Sequence, residues 1–158
     1  MGCLRSGAKK YLDRAVPAAS AFKPDYDPRM AEASSHMSRD LLTVAPGDAL
    51  TEVAERMVER DVGAVLVTED ERLVGILTER DVLRAVAGGI REDTLVSDCM
   101  TRDPETMEPS ESTRQAAVLM IHGGFRHMPI VDGDQIVGML SIRDLMRIVL
   151  EDAAPRGV

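Results

Sequence analysis

LVGILTERDVLRAV (residues 73–86) and IVGMLSIRDLMRIV (residues 136–149) are one segment written twice, 63 residues apart. In each, a Val-Gly step leads through apolar residues to a hydroxyl, Thr78 or Ser141, and three residues later to an aspartate, Asp81 or Asp144. The offset continues outward without a gap. Residues 37–87 lie over 100–150, and MSRDLLTVAP (37–46) matches MTRDPETMEP (100–109). A two-copy repeat predicts a pseudo-symmetric fold, and any site in one copy has a candidate twin in the other.

Local periodicity gives each copy the same elements. After Pro46-Gly47, Asp48 is positioned as an N-cap. Leu50, Val53, Ala54, Met57 and Val58 then recur at helical spacing, which predicts one apolar stripe facing a core. The second copy places Thr113, Ala116, Ala117, Met120 and Ile121 there. GAVLVTED, an acidic turn at 69–71 and RLVGILT read as a β-hairpin, as do HMPIVD, Gly133-Asp134 and QIVGMLS. Pro129 predicts that its strand lies at an edge or a sheet end. A second helix follows each hairpin, over about 79–87 and 142–151, and Gly88-Gly89 terminates the earlier one. Each copy is therefore an extended lead-in, helix, strand, strand and helix. The strands are continuously apolar, which predicts cover on both sheet faces, one by a helix and the other at the seam between copies. The fold class is α/β (α+β), with two tandem β-α-β-β-α repeats in pseudo-twofold symmetry. The expected organisation is an arm over 1–36, the first repeat over 37–89, a linker over 90–96, the second repeat over 97–152 and a tail over 153–158.

Composition narrows the function classes. The chain has 158 residues, 3% aromatics and no Trp, so its core must be aliphatic. Residues 1–36 carry six basic and four acidic groups, whereas residues 37–152 carry 12 Arg, no Lys and 23 acidic groups, a net charge of −11. An acidic body argues against general nucleic-acid binding, which depends on neutralising phosphates. No stretch approaches the roughly 18 apolar residues of a membrane span, and no signal-peptide core is visible. Cys3 and Cys99 form no CxxC, so neither a disulfide framework nor a zinc motif is indicated. A reducing, cytoplasmic location is the expectation. The start MGCLRS fits an acylation pattern, and the first residues are weakly transit-peptide-like. Both bear on membrane or organelle contact, which is not the favoured reading. SSHM (34–37) is similar to a cloning scar, although Met37 has its repeat partner in Met100.

At this point the residues resemble a family. A tandem of units near 60 residues, each ending G-h-h-[ST]-x-x-D, resembles a CBS-domain pair, named after cystathionine β-synthase. The resemblance is carried by residues 37–57, 63–86, 100–120 and 125–149 and covers about 37–152. It implies a regulatory module that binds an adenosine-containing ligand, AMP, ADP, ATP or S-adenosylmethionine, in clefts between the repeats. It also implies pairing into a homodimer, for which the apolar residues Val82, Leu83, Val86, Leu145, Met146 and Val149 are available. No cofactor is required.

Residue by residue, the resemblance places Thr78, Asp81, Ser141 and Asp144 at the ligand, the carboxylates accepting from ribose hydroxyls. The structural alternative is helix capping by the same residues. Family geometry implies one adenine slot from Ile76 with Thr106 and Met107, and a twin from Met139 with Thr43 and Val44. Gly63, Ala64, Met128 and Pro129 line the strand entrances. The ordinary alternative for the apolar members is core. Arg126 and His127 are the candidate phosphate donors. Because their counterparts are Gly63 and Ala64, the two clefts are not equivalent. Arg80 and Arg143 adjoin the key aspartates but read as exposed or inter-helix residues. Long-range repulsion from the acidic body is expected to disfavour ATP relative to AMP.

No enzyme is indicated: there is no Ser-His-Asp pattern, metal set, P-loop or dinucleotide fingerprint. The primary reading is a ligand-sensing module acting on an unidentified regulated protein or on its own dimer state. The alternative is a structural dimerisation or interaction module with empty sites.

Overall fold

The computed structural model describes residues 31–153, with side chains through residue 150. The arm's acylation and targeting readings therefore lie outside the described residues, whereas the SSHM segment (34–37) lies within them. Two compact units are formed. The first contains Asp40–Glu105 together with Gly133–Ile136; the described part of the second contains residues 31–39, 106–132 and 137–153.

In the first unit, β1 (Thr43–Val44) precedes α1 (Leu50–Glu59), the hairpin of β2 (Ala64–Glu69) and β3 (Arg72–Thr78), α2 (Glu79–Ala87), the short α3 (Val96–Cys99) and β4 (Thr101–Arg102). The sheet runs β1-β2-β3-β4. β1 is parallel to β2, with Val44 opposite Val67. The hairpin is antiparallel from Ala64 opposite Thr78 to Glu69 opposite Arg72. Its two-residue turn puts Asp70 and Glu71 at φ 48° and 62°, the conformation that matches strand twist but that side chains resist. β4 closes the far edge, with Ile76 opposite Thr101.

The second unit follows the same plan. α4 (Thr113–Gly123) precedes β5 (His127–Asp132), β6 (Gln135–Ser141), whose first two residues fall with the first unit, and α5 (Ile142–Ala153). β5 and β6 pair as a hairpin. Met107 bridges Ile130 in parallel and Ser38 bridges Met139 in antiparallel fashion. Met107–Ile130 is the 63-residue translation of Val44–Val67, and Ser38–Met139 corresponds to Thr101–Ile76 with the copies interchanged. Pro129 accounts for a local difference. Its counterpart Leu66 donates its N–H to Leu42 O at 3.0 Å, whereas proline has no N–H to give. The lead-in is a strand in the first unit and an isolated bridge in the second.

The first parts of the lead-ins, residues 31–39 and 94–102, are exchanged between the copies. Residues that precede the second copy complete the first unit: Leu50 N donates to Thr94 O at 2.9 Å, Val96 N to Asp48 O at 3.0 Å and Ser97 N to Pro46 O at 2.9 Å. Residues that precede the first copy complete the second: Thr113 N donates to Ala31 O, Ala33 N to Glu111 O and Ser34 N to Pro109 O, at 3.1, 2.8 and 3.0 Å. The bonds from Leu50 N and Thr113 N satisfy the first N–H group of α1 and of α4, which has no partner inside its helix. Residues 31–36, which the sequence grouped with the arm, are thus structural parts of the second unit, and Ala33 is fully buried in its core. Residues 94–96, assigned to the linker, pack in the first unit.

The cores are aliphatic. Leu50, Val53, Met57, Val65, Val67, Leu77 and Val96 cluster in the first unit, and Met37, Met107, Met120, Met128, Ile130 and Leu140 in the second. In β2 the four consecutive residues 64–67 are buried, as the continuous apolar run predicts. Three expectations are corrected. Val58 and Ile121 are 82% and 73% exposed, because at ~100° per residue they lie about 80° around the helix from Leu50 and Thr113. Leu145 is buried in the second core rather than presented to a partner. The N-cap of α1 is Ala49 in extended conformation, and Asp48 instead accepts from Ala45 N at 2.9 Å.

Candidate ligand site

The chain turns from β3 into α2 at Thr78 and from β6 into α5 at Ser141. Thr78 donates to Asp81 Oδ2 through its backbone N–H at 2.9 Å and its hydroxyl at 2.6 Å. Ser141 does the same to Asp144 Oδ2 at 2.8 and 2.6 Å. Asp144 N returns a bond to Ser141 Oγ at 3.3 Å. The carboxylates lie in the first helical turn, where partial positive charge favours them. Capping is therefore present in both units, and it holds each aspartate at a strand–helix corner.

The other carboxylate oxygen is also engaged. Arg84 Nη1 donates to Asp81 Oδ1 at 3.2 Å, and Arg147 Nη1 to Asp144 Oδ1 at 3.4 Å. The aspartate side chains are 10% and 15% exposed and the arginines 61% and 66%. A carboxylate offers about four lone-pair positions, so each keeps one unused on Oδ1. The sequence reading attended to Arg80 and Arg143 and missed this pair. The detectable signal was the i,i+3 spacing on the helix, present at both copies.

The remaining candidates divide between the units. Thr43, Val44, Gly63, Ala64 and Ile76 belong to the first, with Thr78 and Asp81; Thr106, Met107, Arg126, His127, Met128, Pro129 and Met139 belong to the second, with Ser141 and Asp144. Each adenine slot of the sequence reading thus draws on both units. Val44, Ala64, Ile76, Met107, Met128 and Pro129 are buried, Thr43 and Arg126 are exposed, and Gly63, Thr106, His127 and Met139 are intermediate. Thr101, paired to Ile76, and Ser38, paired to Met139, are neighbours that the sequence reading did not name.

Arg126 stands beside the second cap. Its carbonyl accepts from Ile142 N at 2.9 Å, as Gly63 O accepts from Glu79 N at 3.0 Å. The backbone arrangement is shared, and a cationic side chain is present at one corner where the other has a hydrogen atom.

Among the described residues no helix is long and apolar enough to cross a membrane, and no group of three His, Cys, Asp or Glu side chains is arranged to hold a metal ion.

The CBS domain family model matches residues 33–88 and 96–151. An uncharacterized protein of Methanocaldococcus jannaschii is 30% identical over 119 residues, 75% of this chain and 42% of its own length. The CBS domain-containing protein YhcV of Bacillus subtilis is 35% identical over 117 residues, 73% of this chain and 84% of its own. The CBS domain protein PAE2072 from Pyrobaculum aerophilum, solved in complex with AMP, superposes with a TM-score of 0.70 at 30% identity, covering 77% of this chain and 98% of that one. The chain thus spans under half of one of these curated relatives and most of the other.

Proposed function

This chain belongs to the CBS-domain family as a tandem pair, and from that premise we propose that it is a non-catalytic regulatory module sensing an adenosine-containing ligand, with AMP the first candidate. The observation that carries the reading is the twice-repeated, hydrogen-bonded corner of hydroxyl and aspartate at Thr78–Asp81 and Ser141–Asp144, in a chain 30% identical to a pair solved in complex with AMP. In this reading Asp81 and Asp144 accept from ribose hydroxyls, the hydroxyl and first helical N–H groups favour ligand oxygens, and the apolar slot residues named above receive adenine. Arg126 and His127 favour phosphate at the second unit. ADP, ATP and S-adenosylmethionine are the other candidates.

Transmission is proposed to run through a homodimer or a regulated protein. Leu83 and Val86 on α2, and Met146, Val149 and Leu150 on α5, are more than half exposed, an apolar surface suited to burial against a partner. Binding that favours one of two surface arrangements shifts their populations by its differential affinity.

A second reading is favoured by the same hydrogen bonds. Capping and the arginine contact already occupy most of each carboxylate, as in a structural dimerisation module with empty sites. Melting of the purified protein with AMP, ADP, ATP, NADH and S-adenosylmethionine separates the two. A bound ligand raises the melting temperature by mass action, and no shift with any of them at millimolar concentration supports the structural module.

A further inference from the structure

Arg84 and Arg147 each donate to Oδ1 of the aspartate at their own corner. On each aspartate, Oδ2 accepts two short bonds from Thr78 or Ser141, and Oδ1 accepts one longer bond from the arginine a turn further along the helix. A diol that donates both hydrogens needs two acceptor positions, and one is left. The hydroxyl bonds are part-buried at 2.6 Å, whereas the guanidiniums are long, exposed and held at 3.2 and 3.4 Å. The arginine is therefore the partner that yields. The arrangement is present independently in both units, so it is not an accident of one rotamer.

We infer that Arg84 and Arg147 are specificity-determining residues that make the two sites prefer a phosphorylated nucleoside over the bare nucleoside. The inference rests on reading the two corners as nucleotide sites. While the site is empty, each guanidinium neutralises the buried carboxylate and covers its open acceptor. A bare nucleoside must displace the cation and offers it no anionic group in exchange. A nucleotide brings anionic oxygens, to which a displaced planar guanidinium can donate in bidentate fashion. The cation also offsets the field of the −11 body at the point where the phosphate arrives.

The test titrates AMP and adenosine separately into the parent, Arg84→Met, Arg147→Met and the corresponding Lys variants, with the ligand-free melting temperature as a folding control. The parent is expected to bind AMP more tightly than adenosine. Each Met substitution should weaken AMP about fivefold at the altered site by removing one cation, while adenosine binds equally or more tightly. Lys retains the charge and most of the preference. An AMP-to-adenosine ratio unchanged in the Met variants overturns the inference and leaves the nucleotide sites standing. AMP and adenosine weakening by the same factor overturns it too, since that marks a merely structural role. A parent that binds neither compound overturns both readings.

Discussion

The thioether of Met100 lies against the backbone of Gly75, so close that a Cβ on the glycine would stand 2.6 Å from Sδ and 3.0 Å from Thr101 O. Gly138 meets Met37 and the carbonyl of Ser38 in the same way. These two contacts fasten the exchanged lead-ins to the hairpins. Gly75→Ala and Gly138→Ala should each cost about 1–3 kcal/mol by overpacking, measured by urea unfolding. Gly75→Ala with Met100→Ala should cost less than the sum of the two changes, because the clash is shared.

Removing a lead-in should unmake the unit that it completes. A chain shortened to begin at Asp40 loses Ala33 and Met37 from the second core, together with the carbonyl that receives Thr113 N. Burial of a Met side chain alone contributes about 1.5–3 kcal/mol. Hydrogen exchange should show lost protection in α4 and β6 while β2 and β3 keep theirs. Uniform protection across both hairpins would contradict the exchange.

Thr113 is 2% exposed, and its hydroxyl has no hydrogen-bond partner among the described residues. Its counterpart Leu50 is a fully buried apolar residue. Thr113→Val keeps the shape and removes the unsatisfied group, and should stabilise the protein by about 1 kcal/mol, seen as a higher melting temperature.

The acidic turn of the first hairpin holds two side chains at positive φ. Asp70→Asn with Glu71→Gly supplies residues that favour this turn and should add about 1 kcal/mol of stability by relieving the strained positions. The same melting experiment reads it.

Charge should rank the nucleotides. With −11 on residues 37–152, long-range repulsion opposes ATP more than AMP, and added salt screens it. The ATP-to-AMP affinity ratio should be below one at low salt and rise with ionic strength. Tighter ATP binding across low to moderate salt would be incompatible with this ranking. Arg126→Ala should weaken AMP at the second unit alone, since Gly63 holds the corresponding place in the first.

Much of the fold was readable in the sequence because its governing patterns are local. The helical stripe around Leu50 and Met57, the two apolar runs of each hairpin and the Thr78–Asp81 spacing each sit within a few residues. The exchange of lead-ins was not readable in this way. Ser38 pairs with Met139 and Thr101 with Ile76, and such short extended pieces carry no periodicity of their own to name a distant partner. Val58 was misread because apolar character persisted one step beyond the buried face. At the site, the hydroxyl–aspartate corners were found, but the arginines were not. An i,i+3 ion pair on an exposed helix face resembles ordinary surface charge until its carboxylate proves to be buried.

Ligand capture at the two hydroxyl–aspartate corners underlies the nucleotide-binding expectations. Titration calorimetry of AMP into the parent, Asp81→Ala, Asp144→Ala and the double variant tests it most directly. Each single change removes a cap as well, at a cost near 1 kcal/mol, so the titration is run well below the melting temperature of every variant. The expected result is AMP binding by the parent, loss at one corner in each single variant and no binding by the double variant. Undiminished AMP binding by the folded double variant would contradict it.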